Sequence, residues 1–519
     1  MIPVSAAEKI LDGKTFFVST FLDKYKKVAC VENNDKRIQD KTIEIVVGLL
    51  TSTKLLFRWD PSFIIQLTIY VGKNASNSDR GEGNLFGDVL QSSITQLLLP
   101  AIGKIGVESR YAHGILDLIA YTAHTNEQYP FTYEIIEQAI TNFNRIHKYK
   151  CPIQSFISAM VDARILHLHD DKFEFNQNSY YAFFVAREMK RKCLDEGDAS
   201  VFEKTLYEAY KNVNSYIILF FTFVMDSRTL ARKIMETAYE CTKEWEEFDL
   251  TQPKQEYFAH IELPKVYITG NEAVEKAWKQ KEDDRISNRQ MELMWSNPYK
   301  EEEDREEALV TRSFSLMIVV SQMLSNLGHV LHGEDIEAIV ELIYKMPLKI
   351  FNYWASSIDQ NRIEVIRDIQ RINSIEYRQG IADCERMSDE EALNYLRKQS
   401  ALILLELMNQ CIGYASRRST FDYLDEFNHS NNIGYDIEWL MSFEKKKKKK
   451  KHLTDIETVF GSCKEGLQKY LVQQVAKHFM VFSPSIDQGD RQRLNQSIFD
   501  NNIKNQHLLI ESHRHSKRV

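Results

Sequence analysis

Glycine and proline are scarce, at 19 and 10 in 519 residues. So few turn-formers exclude a turn-rich chain and indicate a mostly helical protein. Cysteine is sparse as well. The seven, at Cys30, Cys151, Cys193, Cys241, Cys384, Cys411 and Cys463, contain no C-x-x-C pair. That argues against a disulfide scaffold and a zinc site, and for reduced thiols in the cytoplasm. Long apolar runs are missing too. The most apolar stretch, YIILFFTFVM at 216–225, is about half of the roughly 20 residues needed to cross a bilayer. A buried helix and no membrane partner are expected. No basic stretch followed by an apolar core opens the chain, so no signal peptide is expected. The formal net charge of −8 gives no case for a general polyanion binder.

At 519 residues and 43% hydrophobic content, the chain exceeds one compact core, and two to four domains are expected. The best strand candidates are TFFVST and KKVACV, within residues 15–31. Helical spacing follows at Ile43, Val46, Val47 and Leu50, and RWDPSFIIQLTIYV carries a proline suited to a first helical turn. Residues 72–84, GKNASNSDRGEGN, read as a loop, and Phe86, Val89, Leu90, Ile94, Leu97 and Leu98 as the helix after it.

Residues 111–195 read as one unit. GILDLIAYTAHT is a first helix. A second carries Ile135, Ile136, Ala139, Ile140 and Phe143 on one face, and a third carries Ile153, Phe156, Ile157, Met160 and Val161. LHLHDDKFEF then reads as a β-hairpin turning at Asp170-Asp171. Phe173 and Phe175 face the core, and Asn178 or Ser179 caps a helix bearing Tyr180, Phe183, Phe184 and Arg187. Three helices, a hairpin and a trailing helix describe a winged helix. From 196 onward the pattern is helix after helix, with an irregular stretch around EWEEFDLTQPKQEYF and a strongly charged one at 279–308. Paired helices of about 15 residues fit either a degenerate α-solenoid or an irregular bundle. Lys445 to Lys451 form a seven-lysine run, read as a solvated segment, with a phosphate or acidic partner as the alternative.

Candidate chemistry is thin. Gly13-Lys14-Thr15 ends like a phosphate loop, but the first glycine of that motif falls on Glu8, whose carboxylate repels phosphate. His167 and His169 share one strand face without an evident third metal ligand. G-x-S-x-G and H-E-x-x-H are absent, and no hydrolytic site is expected. The third helix, where winged helices often read DNA, exposes Gln154, Ser155 and Ser158 with Arg164 near its end. One arginine is poor provision for a polyanion.

The order of motifs is similar to that of STAND-type NTPases, particularly the NACHT kind. Asp60-Pro61 opens a helical segment, and Phe173, Phe175, Ser179, Tyr180, Phe183 and Ala186 match the frame with which the family's winged helix ends. The resemblance covers about residues 15–195. It implies a remnant of an α/β ATPase domain at 1–37, a small helical domain at 38–108 and a winged-helix domain at 109–195. A helical linker at 196–300 and a C-terminal helical sensor at 301–519 follow. By resemblance, Pro61 packs beside an adenine. The histidine that reaches the nucleotide in many relatives falls at Gln177, and the family's acidic position falls at Ala182. Both are departures, since glutamine donates a hydrogen bond but carries no charge.

The expected fold is mostly α: a small helical domain and winged helix followed by a helical bundle or α-solenoid array. The expected function is the regulatory and sensing portion of a STAND-type switch, in antiviral defence by family analogy, without catalysis of its own. The chain would then be a C-terminal portion, a split subunit or a divergent remnant. No cofactor is expected for the chain alone, with ATP or ADP bound only if an ATPase domain completes it. The implied partners are a protein or ligand sensed by the C-terminal helices and further copies of the chain on activation. The alternative is a stand-alone helical scaffold whose winged helix binds protein or nucleic acid.

Overall fold

In a computed structural model, residues 82–258, 261, 305–378, 386–416, 420–428, 432–441, 449–482 and 488–499 are described. They are mostly α, with seventeen helices and one two-stranded sheet. They fall into two compact units, one drawn from 82–237 with 305–335, the other from 238–261 with 336–499. The strands read within 15–31, the helices read between 38 and 81, and Lys445 to Lys448 lie outside the described residues.

In the first unit, α1 (Glu82–Ile105) starts inside the stretch read as a loop. A carboxylate suits a helix N-terminus, and the apolar period continues unbroken through Ile94 and Leu98, both fully buried. Gly106, at φ +70°, ends the helix in the left-handed region, where Val107 N–H bonds back to the Ile102 carbonyl at 3.3 Å. Next come α2 (Ser109–Thr125), α3 (Tyr133–His147) and α4 (Ile153–Asp162). The buried face of α3 is Ile135, Ile136, Ala139, Ile140 and Phe143, as its period predicts. In α4, Phe156, Ile157 and Met160 are buried, but Val161 is 37% exposed. Val161 lies one position past Met160, about 100° around the helix, which turns it away from the core.

Strands β1 (Leu166–His169) and β2 (Lys172–Phe175) pair antiparallel, Leu166 opposite Phe175 and His169 opposite Lys172. Asp170 and Asp171 take φ of 48° and 59°, as a two-residue turn with both centres left-handed requires. On the other edge of β2, Phe131 and Phe173 exchange backbone hydrogen bonds of 2.9 and 2.7 Å, adding a one-residue third strand. The trailing helix α5 (Asn178–Asp195) begins two residues after β2. Its N-cap is Gln177, whose carbonyl accepts from Tyr180 N–H at 3.0 Å. Neither Asn178 nor Ser179 is the cap, because both already lie inside the helix.

Aromatic rings weld these pieces together. Tyr129 stacks on Tyr181 at 4.1 Å, and Phe175 sits 5.8 Å from Phe131 and 5.5 Å from Phe184. Phe173, Phe175, Phe183 and Phe184 are all buried, with Phe175 set against the helix rings of Tyr181 and Phe184 and Phe173 against Phe131. Beyond α5 lie α6 (Ser200–Tyr207), α7 (Asn212–Val224) and the first ten residues of α8 (Arg228–Thr242). Helix α7 holds the apolar run, and Ile217 to Phe221 are at most 1% exposed. Helix α9 (Arg305–Leu327) completes this core. Its Ala308–Leu327 stretch is the one segment among the described residues long and apolar enough to cross a membrane, and 61% of it is buried inside the unit. Asn326 on α9 donates to Thr222 on α7 at 3.0 Å, both side chains fully buried.

The described part of the second unit is mostly helical, with helices of uneven length, from 8 to 27 residues. It takes most of α10 (Gly333–Gln360), then α11 (Arg362–Arg378), α12 (Asp389–Ala415), α13 (Phe421–Asn428), α14 (Ile433–Leu440), α15 (Lys449–Ser462), α16 (Leu467–Phe482) and α17 (Gln488–Ile498). Helix α12 opens on a reciprocal cap in which Ser388 Oγ accepts from Glu391 N–H and Glu391 Oε2 accepts from Ser388 N–H. Of the stretch read as irregular, 244–270, residues 244–258 and 261 are described, and they contain one 3-10 turn. Side chains pin it: Arg397 donates to the Tyr257 carbonyl at 2.5 Å, and Gln255 donates to Asn352 and Ser356.

Candidate functional site

Pro61 and Gly13-Lys14-Thr15 lie outside the described residues. Gln177 sits half-buried at the junction of β2 and α5. Its Oε1 accepts from Ser179 Oγ at 3.3 Å, which folds the amide back along its own helix. His167 and His169 project from the exposed hairpin with ring centres 6.4 Å apart. Each already faces a carboxylate, Glu174 at 3.5 Å and Asp170 at 3.4 Å. Among the described residues, no group of three or more His, Cys, Asp or Glu could hold a metal ion. On α4, Gln154, Ser155 and Ser158 are exposed, as is Arg164 two residues past its end, and Gln154 donates to the Tyr133 hydroxyl at 2.9 Å. The face carries no basic stripe.

The strongest concentration of perturbed chemistry lies where α1, α2 and α5 meet. Thr95 Oγ1 donates to the Gln91 carbonyl at 2.7 Å, leaving its lone pairs free to accept from His113 Nε2 at 2.8 Å. That makes His113 the Nε2–H tautomer, with a bare Nδ1. Arg187 Nη1 donates to that Nδ1 at 3.2 Å, and its Nη2 lies 3.4 Å from Asp117 Oδ2. His113 and Asp117 are 4% and 7% exposed. Asp117 Oδ1 has no hydrogen-bond partner. Burial, with Arg187 beside it, pushes the His113 imidazole down to about 4. Burial also raises the Asp117 carboxyl to about 7, and Arg187 offsets only part of that rise. The next residue on α5, the buried Glu188, is held by Arg191 through two hydrogen bonds of 2.8 and 2.5 Å.

A second polar locus is a cleft of about 70 Å³ between the end of α2, α6 and the start of α7. His124 donates there to Thr205 Oγ1 at 2.8 Å, since Thr205 itself donates to the Val201 carbonyl. Lys204 pairs with Glu127 at 2.6 Å and Lys211 with Glu208 at 2.8 Å. Burial, then Lys204, lowers the His124 imidazole to about 4. With both lysines paired, the cleft offers an anion no unpaired cation.

Comparison of the chain with models of known families, with curated proteins and with solved structures finds no match. The motif reading singled out Arg187 but passed over His113 and Asp117. Their signal was a polar pair four residues apart within a helix whose other members, Ile115, Leu116, Leu118 and Ile119, are apolar.

Proposed function

We propose that residues 109–195 form a winged helix serving as the restraining element of a STAND-type conformational switch. In this reading the chain is the regulatory and sensing portion and carries no catalysis of its own. The observation that supports it most is the aromatic junction, in which β2 and α5 are joined by two residues and share one ring cluster. Such a junction transmits a displacement of the hairpin directly to the trailing helix. The helices of 301–519 would supply the ligand or partner surface, and a partner moves the equilibrium only by preferring one state. Nucleotide would enter only through an ATPase domain, from the same gene product or another, with Pro61 and Gln177 as the contacts on this chain.

The alternative is a stand-alone scaffold whose winged helix binds protein or nucleic acid. The single arginine near the end of α4 weighs against nucleic acid. Purification of the chain from its native host at low salt tests the choice. The expected companion through gel filtration is a protein carrying a phosphate loop and an acidic Mg²⁺ strand. Recovery of nucleic acid that high salt releases, with no ATPase, overturns the switch reading.

A further inference from the structure

The seam between α2 and α5 has a property that follows from its hydrogen-bond directions. His113 cannot accept a second proton in place: Nε2–H already points at Thr95, and a proton on Nδ1 would face the Arg187 N–H that now donates to it. Asp117 is poorly placed to lose its proton. Its Oδ1 is buried without a partner, its Oδ2 has one long contact of 3.4 Å, and the Glu188 carboxyl is close enough to oppose a second negative charge. Buried side chains with these constraints prefer to be neutral.

We propose that Asp117 and His113, joined through Arg187, form a proton-balanced latch between the first and trailing helices of the 109–195 module. Closed, the latch holds a neutral carboxylic acid and a neutral imidazole. Opening admits water, the Asp117 O–H bond breaks, and an N–H bond forms on His113, directly or through solvent. One proton leaves the acid and one is taken by the base, so the total is unchanged. Opening therefore neither takes up nor releases a proton in the mildly acid range. The groups facing the pair support this accounting. Helix α5 contributes Arg187, Glu188 and Arg191, α1 contributes the hydroxyl of Thr95, and α3, packed along α2, buries only the apolar Ile135, Ile136, Ala139, Ile140 and Phe143. Helix α7, packed along α5, carries no ionisable side chain except Tyr216. The proposal rests on this geometry and not on the switch reading above, and it stands or falls without a nucleotide.

Hydrogen exchange of the full chain tests it, read as opening of the segments 109–125 and 178–195 relative to wild type at each pH. D117N removes the acid and leaves the histidine. Its opening relative to wild type should rise about tenfold per unit as pH falls from about 6.5 to about 4. H113Q keeps an amide donor toward Thr95 and removes the base. Its opening relative to wild type should rise about tenfold per unit as pH climbs over the same range. Slopes of the same sign, or no slope in either variant, overturn the latch. Should either variant fail to fold, carbon-13 spectra of wild type labelled at aspartate carboxyls decide the matter. One aspartate still protonated near pH 6 is the expected result, and ionisation of every aspartate by about pH 5 contradicts it.

Discussion

Glu438, in the last turn of α14, is fully buried, and neither carboxyl oxygen has a hydrogen-bond partner. Burial, with Glu247 nearby, holds its carboxyl well above the usual range. The carbonyl end of a helix disfavours negative charge as well. A raised folded-state pKa contributes stability at low pH that is lost as pH rises past the ordinary carboxylate range. Replacing the acid by an apolar side chain of similar size removes that burden. E438L is expected to stabilise the protein by about 1–3 kcal/mol near pH 8 and by less near pH 4.5, as read from urea midpoints. Nothing in GYDIEWL distinguishes such a residue in the sequence, because a glutamate on a short amphipathic segment ordinarily faces water.

At the scale of elements, what could be read in advance was what a period or a turn encodes locally. The α3 face and the Asp170-Asp171 turn are instances, since helical spacing fixes one and a left-handed dipeptide the other. The expected cap of α5 lies one or two residues past the observed one, because four polar residues in a row, Asn176 to Ser179, follow Phe175 and tertiary packing of Tyr180 and Tyr181 selects among them. Helix α7 is apolar on all sides, so its sequence indicated burial without saying against what. The turn itself leaves room for improvement. Asn-Gly suits two left-handed positions better than Asp-Asp, which also places like charges side by side. D170N/D171G is expected to raise stability by about 0.5–1 kcal/mol, detectable as a higher thermal midpoint. A loss of stability would mean that the turn is not of this type.

Across the molecule, pairings between distant segments could not be read from a single sequence. Arg228 and Arg232 each donate to Asp335 at 2.5 Å and also to Glu334, more than a hundred residues further along the chain. Asp335 is 3% exposed, accepts from His332 N–H at 3.0 Å, and is held well below the usual carboxylate range. D335A removes a carboxylate shared by two partly exposed arginines and is expected to cost about 1 kcal/mol in a urea titration, with R228Q costing less because Arg232 remains paired. Equal costs would show that the four charges do not act together. The same distance from local signals applies to function. The resemblance to a STAND switch was carried by the spacing of Phe173, Phe175, Ser179 and Phe183, whereas Gln177 proves to be engaged by Ser179. The central claim is a regulatory chain without nucleotide machinery of its own, and titration of the purified full chain with ATP and ADP, with hydrolysis followed in parallel, tests it most directly. The account predicts no turnover and dissociation constants no tighter than about 1 mM, equivalent to about −4 kcal/mol. Micromolar affinity for either nucleotide, or measurable hydrolysis, would contradict it.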